Sequence, residues 1–204
     1  SNSSAAWDVY KRQRPESQDR ALKVIERLGY TIVPRSEAER KRGSRKAVLF
    51  TEELQAFLSK QTYRFGSETR YFSGGAIARA MQAVDQNSAA GLYASNKEIY
   101  ELICSGKSME EELPDGTRQS FDIRYIDFEH PENNTFQVTD EFEVERPNGR
   151  FARPDLVVLV NGIPLVVIEC KKSSVDVMEG VAQNIRNWGE DYIPHLFRYA
   201  QLVM

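Results

Sequence analysis

The sequence has too few cysteines and histidines for a disulfide scaffold or a structural zinc site. It contains Cys104 and Cys170, which form no Cys-x-x-Cys pair, and only two histidines, His130 and His195. A structural zinc ion needs four such ligands at short spacings, so the composition argues against one. A chain of 204 residues can bury a sizeable core without disulfides. Two reduced cysteines are typical of a cytoplasmic protein, which is the location we expect.

The sequence also lacks a long hydrophobic run and an excess of positive charge. Its longest apolar stretch, residues 156–168, is interrupted by Asn161-Gly162 and is too short to cross a bilayer, so we expect no membrane association. The 27 lysines and arginines and 30 aspartates and glutamates give a net charge of −3. A free-standing DNA-binding domain is usually basic. A nuclease is not excluded, because another domain or subunit can supply phosphate contacts.

The two ends of the chain differ from the rest. The opening Ser-Asn-Ser-Ser-Ala-Ala is typical of a tag remnant or a disordered end, so we assign residues 1–15 to that end and residues 16–204 to one domain. Residues 199–204 form an apolar segment of the kind that folded domains bury. We therefore expect the chain to be a fragment of a longer protein.

Hydrophobic periodicity predicts a mostly helical first half. Residues 16–28 carry apolar side chains at helical spacing and are followed by Gly29, a residue type that commonly ends helices. A short strand over residues 30–33 follows and ends at Pro34. Further helices are predicted over residues 51–60, 72–84 and 96–104.

The segment around residue 100 contains a helix-capping motif and part of a phosphate-binding motif. Ser95 and Glu98 have the spacing of a capping box, which predicts that a helix begins at residue 96. Gly106-Lys107-Ser108 has the sequence that ends a phosphate-binding P-loop. However, Glu101 stands where the first glycine of that motif belongs, and a helix rather than a strand precedes it. We therefore predict no nucleotide site and interpret Gly106 as a helix stop.

From about residue 119 the apolar pattern alternates as it does in strands. Strands are predicted over residues 120–128, 136–144, 156–160 and 164–168. Asn161-Gly162, between the last two, is the strongest hairpin signal in the chain. Because these two strands are almost entirely apolar, we expect helices on both faces of the sheet. One such helix is predicted over residues 175–188, with an apolar stripe formed by Val181, Ile185 and Trp188.

Charged residues flank this apolar hairpin. Asp155 directly precedes the first strand, and Glu169 and Lys171 follow the second. Strand alternation gives Glu169 and Lys171 the same face. A strict two-residue turn would pair Asp155 with Ile168 and put the two carboxylates on opposite faces. A one-residue bulge near Asn161–Pro164, or a three-residue loop, would instead pair Asp155 with Glu169, so a shared site requires such an irregularity.

Two carboxylates beside a lysine suit the metal-dependent hydrolysis of phosphodiesters. Mg²⁺ prefers oxygen ligands and keeps several waters, and a water bound to it loses a proton more readily. A lysine can orient that water or offset the charge that develops on the phosphate. Asp155, Glu169 and Lys171 are therefore candidate catalytic residues, with Mg²⁺, or Mn²⁺ in its place, as cofactor. The alternative is that the three charges merely mark the ends of buried strands.

The same residues resemble the N-terminal nuclease domain of the restriction subunit of type I restriction-modification enzymes. The resemblance rests on residues 127–136 (DFEHPENNTF) and on residues 153–171, which match that family's R-P-D…N-G-x-P-L-x-x-x-E-x-K block almost residue for residue. Gly29-Tyr30 and residues 193–197 are also similar. The likeness extends over roughly residues 16–204.

The resemblance implies a fold and a set of site residues. The fold is α/β, a restriction-endonuclease-like PD-(D/E)xK core with a mixed central β-sheet flanked by helices, here with a helical N-terminal elaboration. Asp155, Glu169 and the backbone carbonyl of Cys170 would bind the metal, and Lys171 would be the catalytic lysine. On the first helix, Glu16 is a further candidate ligand or a solvated glutamate. Supporting roles fall to Gln183 and to Trp188, which stands where the family usually has tyrosine.

The resemblance also implies partners. Double-stranded DNA would be the substrate, and methyltransferase and specificity subunits would complete the restriction complex. An ATP-driven translocase would follow residue 204, so ATP would bind only in those missing motor domains. The basic residues of segment 35–46 form either a solvated loop or a phosphate contact, with Arg40, Lys41 and Arg42 as the DNA-binding candidates. Two alternatives are a PD-(D/E)xK nuclease of another restriction or repair system and a non-catalytic docking module for the methyltransferase.

Overall fold

A computed structural model of the chain describes residues 16–85, 91–170, 182 and 185–204. The helices are α1 (Glu16–Arg27), α2 (Arg35–Arg42), α3 (Thr51–Leu58), α4 (Gly74–Asp85), α5 (Leu92–Ser105) and α6 (Pro194–Phe197). The strands are β1 (Thr31–Val33), β2 (Thr62–Phe65), β3 (Glu68–Tyr71), β4 (Lys107–Glu112), β5 (Arg118–Ile123), β6 (Phe136–Asp140), β7 (Val144–Glu145), β8 (Phe151–Ala152), β9 (Leu156–Val160), β10 (Ile163–Ile168) and β11 (Leu202–Val203). Among these residues no helix is long and apolar enough to cross a membrane.

A mixed sheet with the strand order β1-β6-β9-β10-β11 forms the centre of the described fold. Strand β9 is antiparallel to both β6 and β10, while β1 and β11 add in parallel at the two edges. This arrangement brings the end of β6, the start of β9 and the end of β10 to one end of the sheet. The other described strands pair as β2-β3, β4-β5 and β7-β8.

Both faces of the central sheet are covered, as the apolar strands predicted. All five residues of β9 are buried. On one face, Leu156 and Val158 pack with Leu22 of α1. On the other, Val157 and Leu159 join a larger core to which α3, α4 and α5 contribute. Helix α1 suits its position because its apolar residues recur at helical spacing, and two acidic residues, Glu16 and Asp19, lie in the first turn, where they complement the helix dipole.

The Asn161-Gly162 turn is buried rather than exposed at a hairpin tip. The Asn161 side chain accepts a hydrogen bond from the N–H of Thr135 at 2.8 Å and donates to the carbonyl of Tyr125 at 3.0 Å and to Oδ1 of Asn134 at 2.8 Å. Gly162 has φ +81°, and a Cβ there would lie 2.3 Å from the Phe50 carbonyl oxygen. The motif of residues 127–136 thus helps to seat this turn.

Two predictions about the secondary structure are wrong, and strand β4 was not predicted. Helix α5 begins at Leu92 with Gly91 at its N-cap, so Ser95 is a buried residue within the helix and forms no capping box. Residues 35–42 form a helix instead of a loop, because ion pairs hold their charged side chains. Strand β4 was missed because its sequence, Lys-Ser-Met-Glu-Glu-Glu, is rich in charge.

One predicted strand near the site is also shorter than expected. The strand predicted over 136–144 ends at Asp140, because Glu141 adopts φ +48° and turns the chain. The helix predicted over 175–188 lies largely outside the described residues. Of its expected apolar stripe, Ile185 is 53% and Trp188 43% exposed, so these two residues are not buried as predicted.

Candidate functional site

The β9–β10 hairpin contains the register shift on which the predicted site depends. Val160 pairs with Ile163 at the turn, as in a strict two-residue hairpin. The register then shifts by one residue at Leu165. Continued to the open end of the hairpin, the shifted register puts Asp155 opposite Glu169. The predicted bulge is therefore present, one residue beyond the predicted segment.

Three separate parts of the chain hold Asp155. Its carboxylate oxygen Oδ2 accepts a hydrogen bond of 2.6 Å from the backbone N–H of Cys170, at the end of β10. Its carbonyl oxygen accepts one of 2.9 Å from the N–H of Glu141, beyond β6. The same carbonyl accepts another of 2.9 Å from Nε2 of Gln18, on α1. The backbone and the side chain of this half-buried aspartate are thus both fixed.

Glu169 lies at the same end of the sheet and is 9% exposed. Its backbone N–H donates to the carbonyl of Met204 at 2.9 Å, and the N–H of Met204 donates to the carbonyl of Val167 at 2.9 Å. Strand β11 therefore fixes the backbone on which Glu169 is carried. Asp155 and Glu169 thus bring a half-buried and a buried carboxylate to the open end of the β9–β10 hairpin.

Asp140 is a third acidic residue at this end of the sheet, and the sequence analysis missed it. It is the last residue of β6, stands opposite Leu156 and is fully buried. Among the described residues, no group of three or more histidine, cysteine or acidic side chains could hold a metal ion. Two carboxylates nevertheless fit a hard cation such as Mg²⁺, which completes its shell with water.

Two further predicted site residues, Cys170 and Trp188, lie within the described part of the chain. Lys171 and Gln183 lie outside the described residues. The Cys170 side chain packs at the edge of the apolar cluster beside α1, while its N–H bonds to Asp155. Trp188 is partly exposed, and its ring meets that of Phe197 edge-on with centroids 6.3 Å apart.

On α1, the structure brings Gln18 to the site and leaves Glu16 in solvent. The Glu16 side chain is 79% exposed and pairs with Arg20 on the same helix. Gln18 is 1% exposed and reaches Asp155. Two residues differ by about 200° around a helix, so these side chains point to opposite sides. The available signal was that Gln18 lies four residues before Leu22, on the buried stripe.

The three predicted DNA contacts on α2 have different environments. Arg42 is buried: it donates to the carbonyls of Ala47 at 3.1 Å and Glu143 at 2.9 Å, and burial lowers its pKa to about 10. Lys41 is paired with Glu53, a hydrogen bond that raises its pKa. Arg40 is 77% exposed. The structure therefore assigns Arg42 to the core and leaves Arg40 accessible to a phosphate.

A cluster of ion pairs supports the turn next to Asp155. Buried Glu143 pairs with Arg35 at 3.1 Å, Arg45 at 2.9 Å and Arg153 at 2.9 Å. Burial opposes ionisation of Glu143, but the hydrogen bond from Arg153 and the charges of Arg35 and Arg45 outweigh it and lower its pKa. Glu141, whose N–H bonds to Asp155, pairs with Arg35 at 3.4 Å and Arg153 at 3.8 Å.

Comparison with known proteins identifies the family. Residues 13–204 match the family described as Type I restriction enzyme R protein N terminus. The chain belongs to this family. The resemblance found in the hairpin motif is thereby confirmed.

The relatives are named as endonuclease subunits. The HindI endonuclease subunit of Haemophilus influenzae is 27% identical over 191 residues, 90% of this chain and 17% of that protein. The SsaAORF53P endonuclease subunit of Staphylococcus saprophyticus is 38% identical over 80 residues, 39% of this chain and 8% of the relative. The SauCOLORF180P endonuclease subunit of Staphylococcus aureus is 32% identical over 109 residues, 52% and 11% respectively. The chain thus spans less than a fifth of the length of these relatives.

Proposed function

We propose that this domain is the metal-dependent endonuclease of a type I restriction enzyme and that it hydrolyses phosphodiesters of double-stranded DNA. The observation that carries the proposal is the shifted register of the β9–β10 hairpin, in which Asp155 stands opposite Glu169. A docking surface has no need of a half-buried and a buried carboxylate at one position. The fold of a mixed sheet between helices agrees with a PD-(D/E)xK core.

The residues at this position have separate roles. Asp155, Glu169 and the backbone carbonyl of Cys170 would hold a Mg²⁺ or Mn²⁺ ion. Such an ion, when bound, makes its water more acidic and offsets charge on the scissile phosphate. The N–H of Cys170 orients the Asp155 carboxylate through Oδ2. Lys171, two residues after Glu169, would orient the attacking water or stabilise charge on the phosphate.

The proposal extends to the protein as a whole. Cleavage would be coupled to an ATP-driven translocase elsewhere in a longer chain, and methyltransferase and specificity subunits would complete the complex. The small share of the relatives that this chain spans supports a division of labour between domains. The net charge of −3 and the burial of Arg42 support it too, because duplex binding depends on neutralising many phosphates.

Calorimetric titration with Mn²⁺ tests the metal site on this chain directly. We expect saturable binding by the wild type and loss of binding in Asp155→Asn and Glu169→Gln, which keep size but remove the charge. Glu16→Gln is the matched control and should bind as the wild type does, because its side chain is solvated. Equal heats in the wild type and both site variants would contradict the proposal and favour a non-catalytic docking module.

A further inference from the structure

Gln18 is a buried amide whose only described hydrogen bond reaches Asp155. It is 1% exposed, and its Nε2 donates 2.9 Å to the Asp155 carbonyl, across 137 positions of sequence. Burying an amide is costly unless it is hydrogen-bonded. The contact therefore fixes where α1 meets the start of β9.

The Asp155 carbonyl also accepts a hydrogen bond from a second part of the chain, the turn after β6. The N–H of Glu141 donates to it at 2.9 Å. A carbonyl oxygen has two lone pairs, so these two donors saturate it. The peptide plane between Asp155 and Leu156 is thus held between α1 and the turn after β6. The Cα of Asp155 lies in this plane, so the two hydrogen bonds also fix the atom from which the Asp155 side chain extends.

A hydrogen bond from the backbone also fixes the carboxylate of Asp155. Its Oδ2 is 2.6 Å from the backbone nitrogen of Cys170, the residue after Glu169. This short contact holds only while the Asp155 backbone keeps its orientation. Gln18 thus acts on the carboxylate through the main chain, without having to touch a metal or DNA itself.

We propose that Gln18 is a positioning residue of the metal site, which fixes the Asp155 backbone so that its carboxylate faces the same ion as Glu169. The inference rests on the proposed function. In this proposal α1 contributes to the metal site through Gln18 and not through Glu16, whose side chain is solvated. Helix α1 keeps its apolar packing through Leu22 and Ile25 without the Gln18 amide, so loss of the amide acts on the site more than on the fold.

The test compares Gln18→Met, which keeps length but removes the donor, with Gln18→Asn, which keeps the amide but shortens its reach. Glu16→Gln on the same helix is the control. Partners that orient a metal ligand are typically worth about 10- to 100-fold in metal affinity. We expect Mn²⁺ to bind Gln18→Met roughly tenfold more weakly or worse. The thermal unfolding midpoint of the metal-free variant should fall by only about 4 °C or less.

A second readout is independent of metal binding. The amide proton of Cys170, hydrogen-bonded to a carboxylate, should resonate at low field in the NMR spectrum of the metal-free wild type. It should move upfield in Gln18→Met and Gln18→Asn but not in Glu16→Gln. A purely structural glutamine would lower the unfolding midpoint and leave both the Cys170 resonance and the Mn²⁺ affinity unchanged.

The outcomes separate the two proposals. If the wild type binds Mn²⁺ and both Gln18 variants bind it equally well, with the Cys170 amide unmoved, the positioning role is overturned and the metal site stands. If the wild type does not bind Mn²⁺, the metal site is overturned, and the positioning role with it. Weaker binding together with a shifted Cys170 amide supports the role assigned to Gln18.

Discussion

The backbone N–H of Cys170 donates a 2.6 Å hydrogen bond to the Asp155 carboxylate across the open end of the β9–β10 hairpin. This contact joins the two halves of the candidate site, since Cys170 directly follows Glu169. It depends on the extra residue at Leu165, which shifts the register of the hairpin by one. A single irregularity in an otherwise regular pair of strands thus decides which residues meet.

The buried hairpin turn should tolerate no side chain at Gly162. In Gly162→Ala the new Cβ would lie 2.3 Å from the Phe50 carbonyl oxygen, at a φ of +81°. We expect a loss of about 3 kcal/mol or more in the free energy of unfolding. Gly149→Ala is the control: φ there is +76° but the space is open, so we expect about 1 kcal/mol. Urea unfolding measures both, and equal losses would contradict the close approach.

The ion pairs of Glu143 should make the domain sensitive to acid. Its pKa in the folded state is lowered from an ordinary value of 4.5, so its stabilisation is present above about pH 4.5 and is lost as the pH falls through the folded-state pKa. Glu143→Gln should flatten this part of the stability profile.

At pH 7 the same substitution leaves three arginines without their shared partner. We expect it to destabilise the domain by about 3 kcal/mol. Glu145→Gln, which breaks only a partly exposed pair with Lys46 at 3.5 Å, should cost about 1 kcal/mol or less. Urea unfolding at pH 7 and pH 4 distinguishes the two. An acid response in Glu143→Gln as steep as that of the wild type would argue against this origin.

Arg40 and Arg42 should behave in opposite ways. Arg42→Met leaves the carbonyls of Ala47 and Glu143 without their donor, so we expect a loss of about 2 kcal/mol or more in stability. Arg40→Met should change stability by less than about 0.5 kcal/mol. If Arg40 contacts phosphate, only Arg40→Met will weaken DNA binding at low salt while leaving the fold intact. Thermal unfolding and fluorescence anisotropy provide the two readouts.

The sequence predicted those parts of the fold whose signals are local. The runs Leu156–Val160 and Ile163–Ile168 are apolar enough to be recognised as buried strands, and Asn161-Gly162 identifies the turn between them. The positions of Asp155 and Glu169 followed from these strands. The bulge was predictable because the chemistry required it, although nothing in the local sequence locates it at Leu165.

The features that were missed depend on contacts between distant residues. In the sequence Gln18 is an ordinary polar residue. Its partner Asp155 is 137 positions away, and only the fold brings the two residues together. An arginine in a charged segment is expected at the surface. Arg42 is buried because it donates to the carbonyls of Ala47 and Glu143 and its guanidinium lies 4.0 Å from the centre of the Phe142 ring. Strand β4 is rich in charge because alternate side chains, such as Glu110 and Glu112, are exposed. Periodicity puts Gln18 on the buried side of α1, but it does not identify Asp155 as the hydrogen-bond partner of Gln18.

DNA cleavage by the proposed full-length restriction subunit, assembled with its proposed partner subunits, tests the central claim most directly. Wild type should be compared with Asp155→Asn, Glu169→Gln and the control Glu16→Gln, with ATP hydrolysis measured in the same reactions. We predict that both site variants lose cleavage at least about 100-fold while ATP hydrolysis stays unchanged, because the carboxylates serve only the phosphodiester step. Cleavage at the wild-type rate in either site variant would contradict the assignment of Asp155 and Glu169 as the catalytic metal ligands.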